Sequence, residues 1–409
     1  MNVMYPRCCG IDDHKNFIVA CLSIREEGET RKEVRRFGTM SRDLIALRHW
    51  LLEEGCTHVA MESTGVYWRT VYSHLHGFFE IVVANAQHMR AVPGRKTDVQ
   101  DAEWIADLLQ HGLLTASFVP SPEQQDLRDF TRTRISLVQE RARLVNRIHK
   151  LLEEANIKLA SVLSNVMGVS GRAILHALAN GEEDPEKLAG LAHRTIEHKH
   201  ERLVQAVEGQ VRPHHRFLLR ELLRLIEALD LSIAHIEQEI AERLHPFEEQ
   251  LKRLEAITGV SRRILEVLFA EVGWDMSRFP DAAHLASWAG MCPGHDESGG
   301  KRRSGRIRKG NPYVRAALVQ AAHAVSRTQT YLGEQYRRLA KRRGGKRAAI
   351  AVGHSILIIF YHMVKTGEDY HEKGVGFFQQ ADKQRVQRHL VQRLEHLGYQ
   401  VTLQPLPAA

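Results

Sequence analysis

Lys96-Thr97-Asp98-Val99-Gln100-Asp101 sets two carboxylates three positions apart where a helix begins, and the lie of those acids on that helix decides the fold that can carry them. The helix reads on through Ala102, Ile105, Ala106 and Leu109. At roughly 100° of rotation per residue, Asp98 falls near the middle of the apolar arc these residues define and Asp101 at its edge, with Glu103 and Asp107 outside it. An acid aimed into a buried face is costly unless its charge is compensated. A divalent metal ion is the natural compensation.

Working back toward the N-terminus, residues 7–12 and 17–24 read as strands joined at Asp13-His14-Lys15-Asn16, and 32–39 as a third. A helix near 41–54, a strand at 57–62, a helix at 65–77 and a strand at 80–85 follow. Three strands and then alternating helix and strand is the order of a ribonuclease-H-like mixed sheet, an α/β fold on which the acidic helix at 98–112 would pack. Asp12 ends the first strand and Glu62 the fourth. If those strands are neighbours, both acids emerge at one end of the sheet. With Asp98 and Asp101 they make four hard oxygen donors able to hold two Mg²⁺ ions about 4 Å apart, the arrangement that stabilises attacking and leaving oxygens in an in-line phosphoryl transfer.

Working forward, the pattern turns helical. One long helix is predicted from Pro122 to about residue 156, and a second from about 214 to 254. The second carries Leu218, Leu222, Leu225, Leu229, Ile233, Ile236, Ile240, Leu244, Phe247, Leu251 and Leu254 at alternating steps of three and four. Such spacing makes a coiled-coil seam, read here as an internal hairpin with some part in oligomerisation. Shorter helices fill 157–213. Ile257-Thr258-Gly259-Val260-Ser261 and the apolar helix after it resemble a helix-hairpin-helix, whose glycine turn offers backbone N–H groups to phosphate. Helices at about 311–343 and 346–366 and a polar tail after 374, partly disordered or weakly helical, complete the chain.

Between them lies Ser298-Gly299-Gly300-Lys301-Arg302-Arg303-Ser304-Gly305-Arg306-Ile307-Arg308-Lys309-Gly310-Asn311, a glycine-rich loop with six Lys/Arg from 301 to 309. Such a loop lets phosphates approach the backbone closely, and a serine in it could attack a phosphodiester beside stabilising guanidiniums. Two further basic clusters occur. One is Arg337-Arg338, Lys341-Arg342-Arg343 and Lys346-Arg347; the other runs along the first long helix at Arg128, Arg132, Arg134, Arg141, Arg143, Arg147 and Lys150. They read as a surface that tracks a nucleic-acid backbone.

Composition agrees with this. In 409 residues, 57 Lys+Arg stand against 49 Asp+Glu, a net charge of +8 that favours a polyanionic partner. The five cysteines, Cys8, Cys9, Cys21, Cys56 and Cys292, show no paired spacing, so neither a disulfide framework nor a zinc site is expected. A reducing, cytoplasmic setting fits, with no secretion signal. The apolar run from Ala348 to Val364 is short for a membrane span and holds Gly353, His354 and His362, so a buried core helix is expected and no membrane partner.

Gly10-Ile11-Asp12, Glu62-Ser63-Thr64-Gly65-Val66-Tyr67, Lys96 to Ala102, and Ser298-Gly299-Gly300-Lys301 followed by Lys309-Gly310-Asn311 and Arg315 together resemble insertion-sequence transposases of the IS110 type, over roughly residues 5–370. These include bridge-RNA-guided recombinases and DNA invertases. The resemblance implies a RuvC-like DEDD domain at 1–118 with Asp12, Glu62, Asp98 and Asp101 as metal ligands, a helical coiled-coil region at 119–254, and a mainly helical transposase domain at 255–373, with the polar tail at 374–409 matching no counterpart. It also implies a covalent serine–DNA link at Ser298, with Ser304 as second choice, although Glu297 stands where many relatives have another serine. Dimers assembling to tetramers would build a composite site on DNA from different protomers, a bridge RNA would supply specificity by base pairing, and the protein would sit with the nucleoid. Lys96, Lys301, Arg302, Arg303, Arg306, Arg308, Lys309, Arg315, Arg132, Arg141 and Arg147 would contact nucleic acid. Two other readings are a RuvC-like junction endonuclease using metal-activated water, and a non-catalytic RNA- or DNA-binding protein on an old nuclease fold.

Overall fold

The computed structural model describes residues 3–403 apart from 27, 64, 85–96, 295, 300, 305, 306 and 308, with the backbone alone for 296–298, 301–304 and 379–385. The chain forms two compact units, Met1–Pro120 and Ser121–Ala409.

The first unit is built on strands β1 (Arg7–Asp13), β2 (Phe17–Glu26), β3 (Glu29–Gly38), β4 (His58–Glu62) and β5 (Glu80–Ala84), in the spatial order β3-β2-β1-β4-β5. β1–β2 and β2–β3 pair antiparallel, and β1–β4 and β4–β5 pair parallel. Every residue of β2 from Ile18 to Ile24 is buried, which explains its nearly unbroken apolar run, whereas β3 is an edge strand carrying Arg31, Lys32, Glu33, Arg35 and Arg36. Charge on an exposed edge blocks pairing with foreign strands.

Alternation along β1 divides the core. Cys9 and Ile11 face helices α1 (Ser41–Glu53) and α2 (Tyr67–Leu75) through Leu44, Leu47, Trp50, Leu51, Val71 and Leu75. Cys8 faces the other way, toward α3 (Asp98–Gln110), whose Ala102, Ile105, Ala106 and Leu109 cover Val19, Cys21, Ala60 and Ala84. Between Cys8 and Asp12 on that face stands Gly10, and a Cβ there would lie 2.3 Å from both Ala102 O and Ala106 N. Only glycine lets the α3 backbone lie this close to the strand.

The second unit opens with α4 (Pro122–Glu154), α5 (Leu159–Val162), α6 (Val169–Asn180), α7 (Pro185–Gly190), α8 (His200–Val207) and α9 (Pro213–Leu244). The long helices α4 and α9 pack antiparallel: Leu127 shares a core with Ile240 and Leu244, while Leu151 and Leu152 share another with Leu219 and Leu223. Two expectations need correction. The predicted helix over 214–254 stops at Leu244, where Pro246 takes away a backbone donor; a short 3₁₀ turn, His245–Phe247, leads into α10 (Glu248–Leu254). In its first half the seam is also rotated, because α9 there packs on the short helices as well as on α4. His215, Leu219, Leu223 and Ile226 are buried, and Leu218 and Leu225 are 45% and 46% exposed.

Helices α11 (Arg262–Val272) and α12 (Ala282–Trp288) come next, then strands β6 (Asp296–Ser298) and β7 (Lys301–Ser304), then α13 (Pro312–Val325), α14 (Tyr331–Arg343) and α15 (Gly345–Thr366). The predicted helix over 311–343 is thus two helices. One turn ends at Thr328, and Thr330 caps α14 by accepting from Gly333 N. At the turn read as a helix-hairpin-helix, Gly259 has φ +82°, and the space where a Cβ would lie is filled by Ala321 O and the Val325 side chain of α13, so one side of the turn packs against that helix. Helix α15 is long and apolar enough to cross a membrane by length and composition, yet Ala349, Val352, Ile356, Leu357, Phe360 and Tyr361 are buried in this unit's core. The tail forms α16 (Phe377–His396), with Phe378 stacked on Tyr331 at 5.0 Å.

Candidate functional site

Parallel pairing of β1 with β4 runs Cys8↔His58 to Ile11↔Met61, so Asp12 and Glu62 continue the register side by side. Both share the face of Gly10 and Ala60, the face covered by α3. Helix α3 begins at Asp98, where Thr97 caps it by accepting from Gln100 N at 3.3 Å, and Asp98 and Asp101 occupy the first turn, whose dipole favours negative charge. The close seat allowed by Gly10 brings this turn over the strand ends. All four predicted acids therefore belong to one end of the sheet.

The burial expected of Asp98 is not found. Its side chain is 50% exposed, against 16% for Asp12, because the first residue of α3 stands where the sheet's cover ends. Asp12 is the acid that burial strains. Its pKa is raised by desolvation, an effect opposed by His14 and reinforced by Asp101 and Asp98. Next to it, Asp13 is pushed up to about 7 by desolvation, then by Asp12 and, further down, by Glu62. So many carboxylates repelling one another are what a cation would relieve.

A residue not singled out from the sequence stands at the centre. His14 Nε2 lies 3.1 Å from Asp12 Oδ2 and 3.3 Å from Asp98 Oδ1, and the three ligand atoms all fall within 4.8 Å of one another. The ring is held by packing on Phe17 at 4.7 Å, and the turn is closed by His14 N donating to Phe17 O at 3.0 Å. The signal was present in the period of two that puts Asp12 and His14 on one side of an extended chain; the turn assignment hid it. The donor set of Asp12, Asp98 and His14, with Glu62 and Asp101 beside them, fits a divalent cation.

In the second unit the predicted basic loop is a two-stranded ribbon. Ser298 pairs with Lys301 and Glu297 with Arg302, with an irregularity at Asp296, which pairs with Ser304. Gly299 turns the chain at φ +59°, which puts Ser298 at the last strand position before the tip. Lys96, Arg306 and Arg308 lie outside the described residues. Lys309 is exposed and Arg315 half-buried on α13.

Below the ribbon the chain is locked. Gly310 crosses Ala289 and Gly290 so tightly that a Cβ would meet Gly290 N at 2.3 Å. Asn311 Oδ1 caps α13 by accepting from Tyr313 N and Val314 N, while its Nδ2 donates to Glu271 Oε2 at 2.6 Å. Glu271, whose side chain is 1% exposed, also accepts a bidentate pair from Arg132 at 2.7 and 2.8 Å.

This alters the nucleic-acid surface expected along α4. Arg132 is held by Glu271, Arg128 donates to the carbonyl of Ala270 at 2.9 Å, Arg134 pairs with buried Glu266, and Arg141 pairs with Asp230. These guanidiniums neutralise buried or half-buried acids, so their charge is used inside the fold. Arg147 is exposed, as are Arg143 and Lys150. A denser exposed group surrounds the turn between α14 and α15, with Lys341, Arg342, Arg343, Lys346 and Arg347 all exposed.

Comparison with known proteins falls on these same segments. Residues 9–157 match a family model described as a transposase, of the DEDD, IS110 kind, and residues 251–337 match one described as "Transposase IS116/IS110/IS902 family". The chain is 28% identical to a probable family 20 transposase of Pseudomonas aeruginosa over 272 residues, covering 66% of this chain and 71% of the relative. It is 25% identical to the transposase for insertion sequence element IS1111A of Coxiella burnetii, over 78% of this chain and 80% of the relative. A pilin gene-inverting protein of Moraxella bovis is 27% identical over 35% of this chain and 46% of its own length.

Proposed function

The chain belongs to the IS110-type transposases of insertion sequences, enzymes that cleave and rejoin DNA, and from that premise we propose that it exchanges strands at element ends through the acid cluster of the first unit and Ser298 of the second. The observation that carries this reading is the convergence of Asp12, Glu62, Asp98 and Asp101 at one sheet end, with Asp12 and Asp98 both in contact with His14. The strand order β3-β2-β1-β4-β5, with its antiparallel and parallel halves, supports a ribonuclease-H-like, RuvC-like identity for the first unit. The antiparallel pair α4 and α9 supports reading 119–254 as the helical coiled-coil region in a division at 118, 254 and 373.

Asp12, Glu62, Asp98 and Asp101 would hold the divalent cations, Mg²⁺ in the cell, whose Lewis acidity stabilises charge on the reacting phosphodiester oxygens. The Ser298 hydroxyl attacks phosphorus, forming a serine–phosphate bond as a deoxyribose oxygen leaves and takes up a proton. Attack by a deoxyribose hydroxyl of the second strand breaks that bond, returns the serine and rejoins the DNA. Lys301, Arg302, Arg303, Lys309 and Arg315, with Arg306 and Arg308, would neutralise phosphates at the ribbon, and Lys96 would contact nucleic acid on the first unit. Around Gly344, Lys341, Arg342, Arg343, Lys346 and Arg347 would take the part first expected of Arg132 and Arg141, with Arg147 keeping its own.

In this reading a bridge RNA pairs with donor and target DNA, and dimers assemble to a tetramer in which acids and serine of one composite site come from different protomers, inside the cell beside the chromosome. Recombination of a reporter element with its flanking non-coding segment tests the reading. Loss of activity in both Asp101→Ala and Ser298→Ala, with a protein–DNA adduct trapped only when Ser298 is present, is the expected result. Cleavage that survives Ser298→Ala without any adduct would instead indicate a junction endonuclease using water. Mg²⁺-indifferent binding without cleavage would indicate a binding protein alone.

A further inference from the structure

His14 contributes a nitrogen to a site otherwise made of carboxylates. Its Nε2 faces two oxygens, Asp12 Oδ2 at 3.1 Å and Asp98 Oδ1 at 3.3 Å. A single N–H directed at two separate carboxylates serves one well and the other poorly. Octahedral ligands at about 2.1 Å from a cation lie about 3 Å from their neighbours, and both His14 distances already match that spacing. A divalent cation held by these three residues would supply the positive charge that one N–H cannot deliver to both carboxylates.

The ring is fixed as a ligand should be. It packs on Phe17 at 4.7 Å, the Phe17 ring also carries the Arg36 guanidinium at 3.7 Å, and the His14 backbone is hydrogen-bonded across the turn to Phe17 O. Asp12 and His14 thus come from one end of the β1–β2 turn and Asp98 from the first turn of α3.

We propose that His14 is a direct ligand of one of the two cations, so that this subsite is a mixed nitrogen–oxygen site that accepts imidazole-binding transition-metal ions better than an all-carboxylate site does. The proposal rests on the metal-site reading above and adds a ligand outside the four carboxylates. Imidazole suits Zn²⁺, Fe²⁺, Ni²⁺ and Cu²⁺, whereas Mg²⁺ and Mn²⁺ are at home among oxygens; Mn²⁺, a transition-metal ion visible to electron paramagnetic resonance, serves as the probe of the nitrogen ligand.

The test uses the full-length chain with Mn²⁺ as probe. Pulsed electron paramagnetic resonance should detect ¹⁴N coupling from a directly bound imidazole in the wild type, and that coupling should vanish in His14→Ala. In titrations His14→Ala should lose Mn²⁺ affinity by about tenfold or more, while Mg²⁺ affinity, measured by competition, falls by less than about threefold. His14→Gln, which keeps a hydrogen-bonding side chain, should behave as His14→Ala does in the nitrogen signal and retain the wild-type melting temperature. Mn²⁺ that binds in an Asp12-dependent way with no ¹⁴N coupling, or with coupling that persists in His14→Ala, overturns the His14 assignment and leaves the carboxylate site standing. Mn²⁺ binding indifferent to Asp12→Asn overturns the metal-site reading and the His14 assignment together.

Discussion

Gly10→Ala is a one-carbon change whose effect can be worked from the packing of α3 on β1. The new Cβ would sit 2.3 Å from Ala102 O and Ala106 N, and ordinary van der Waals contact begins at 3.4 Å, so strand and helix must part by about 1 Å. Both obstacles are backbone atoms of a regular helix, so no side chain can swing aside. Overpacking of this kind costs about 1–3 kcal/mol, which for a unit the size of Met1–Pro120 lowers the melting temperature by roughly 4–12 °C. The same displacement carries Asp98 with it and opens the 3.3 Å contact with His14 past bonding range. Calorimetry should show the lowered transition, and a Mn²⁺ titration of the still-folded variant at low temperature should show affinity reduced by about tenfold. A Gly10→Ala protein that melts and binds Mn²⁺ as the wild type does would refute the claim that this close approach positions the site.

Three other outcomes are expected. Glu271→Ala leaves Arg128 and Arg132 without their buried acid and Asn311 without its acceptor, so denaturant unfolding should show a loss of about 3–5 kcal/mol, with Glu271→Gln losing less. Asp230, which desolvation pushes up but Arg141 and Arg172 pull down further, has a net lowered pKa. Its folded value lies below its unfolded one, so its stabilisation is present above about pH 4 and is lost as pH falls through the folded value; the melting-temperature gap between wild type and Asp230→Asn should be full at pH 7 and narrow as the pH is lowered below about 4. Glu372 accepts from Tyr331 N at 2.7 Å, Tyr370 OH at 2.9 Å and Gly374 N at 3.1 Å, so Glu372→Ala should speed limited proteolysis between residues 367 and 377 while the transition of Met1–Pro120 is unchanged.

What could be read in the chain follows from the range of the interactions involved. Strands β1, β2 and β4 and helix α3 are local patterns with strong periodicity, and the acids of the site ride on them at fixed offsets, so their convergence was legible before any coordinates. Pro246 is equally visible, but the leucine spacing continues beyond it and argues for one long helix; a proline's missing donor outweighs a good seam. The arginines of α4 misled for a different reason. Their acidic partners, Glu271, Glu266 and Asp230, lie some ninety to a hundred and forty residues away, and a pairing at that distance leaves no trace in a local charge count. The ribbon of β6 and β7 was hidden because its strands are short and rich in Arg, Asp and Ser, residues that carry little strand signal. His14 was missed by treating a tight turn as mere connection, when its place two residues past Asp12 already put it on the same side.

The lock beneath the ribbon gives this unit a natural pair of cut points. Pro293 and Ile307 bridge across its base, and immediately beyond them Gly310 and Asn311 fix the exit against Ala289, Gly290 and Glu271. The chain thus leaves and re-enters the core at fixed points, so a change in the length of the ribbon should leave the core standing provided Gly310 and Asn311 are kept. Because Glu271 grips Arg132 of the long helix and Asn311 of the exit with one carboxylate, any new ribbon inserted there inherits its angle to that helix from residues that are not part of the ribbon at all.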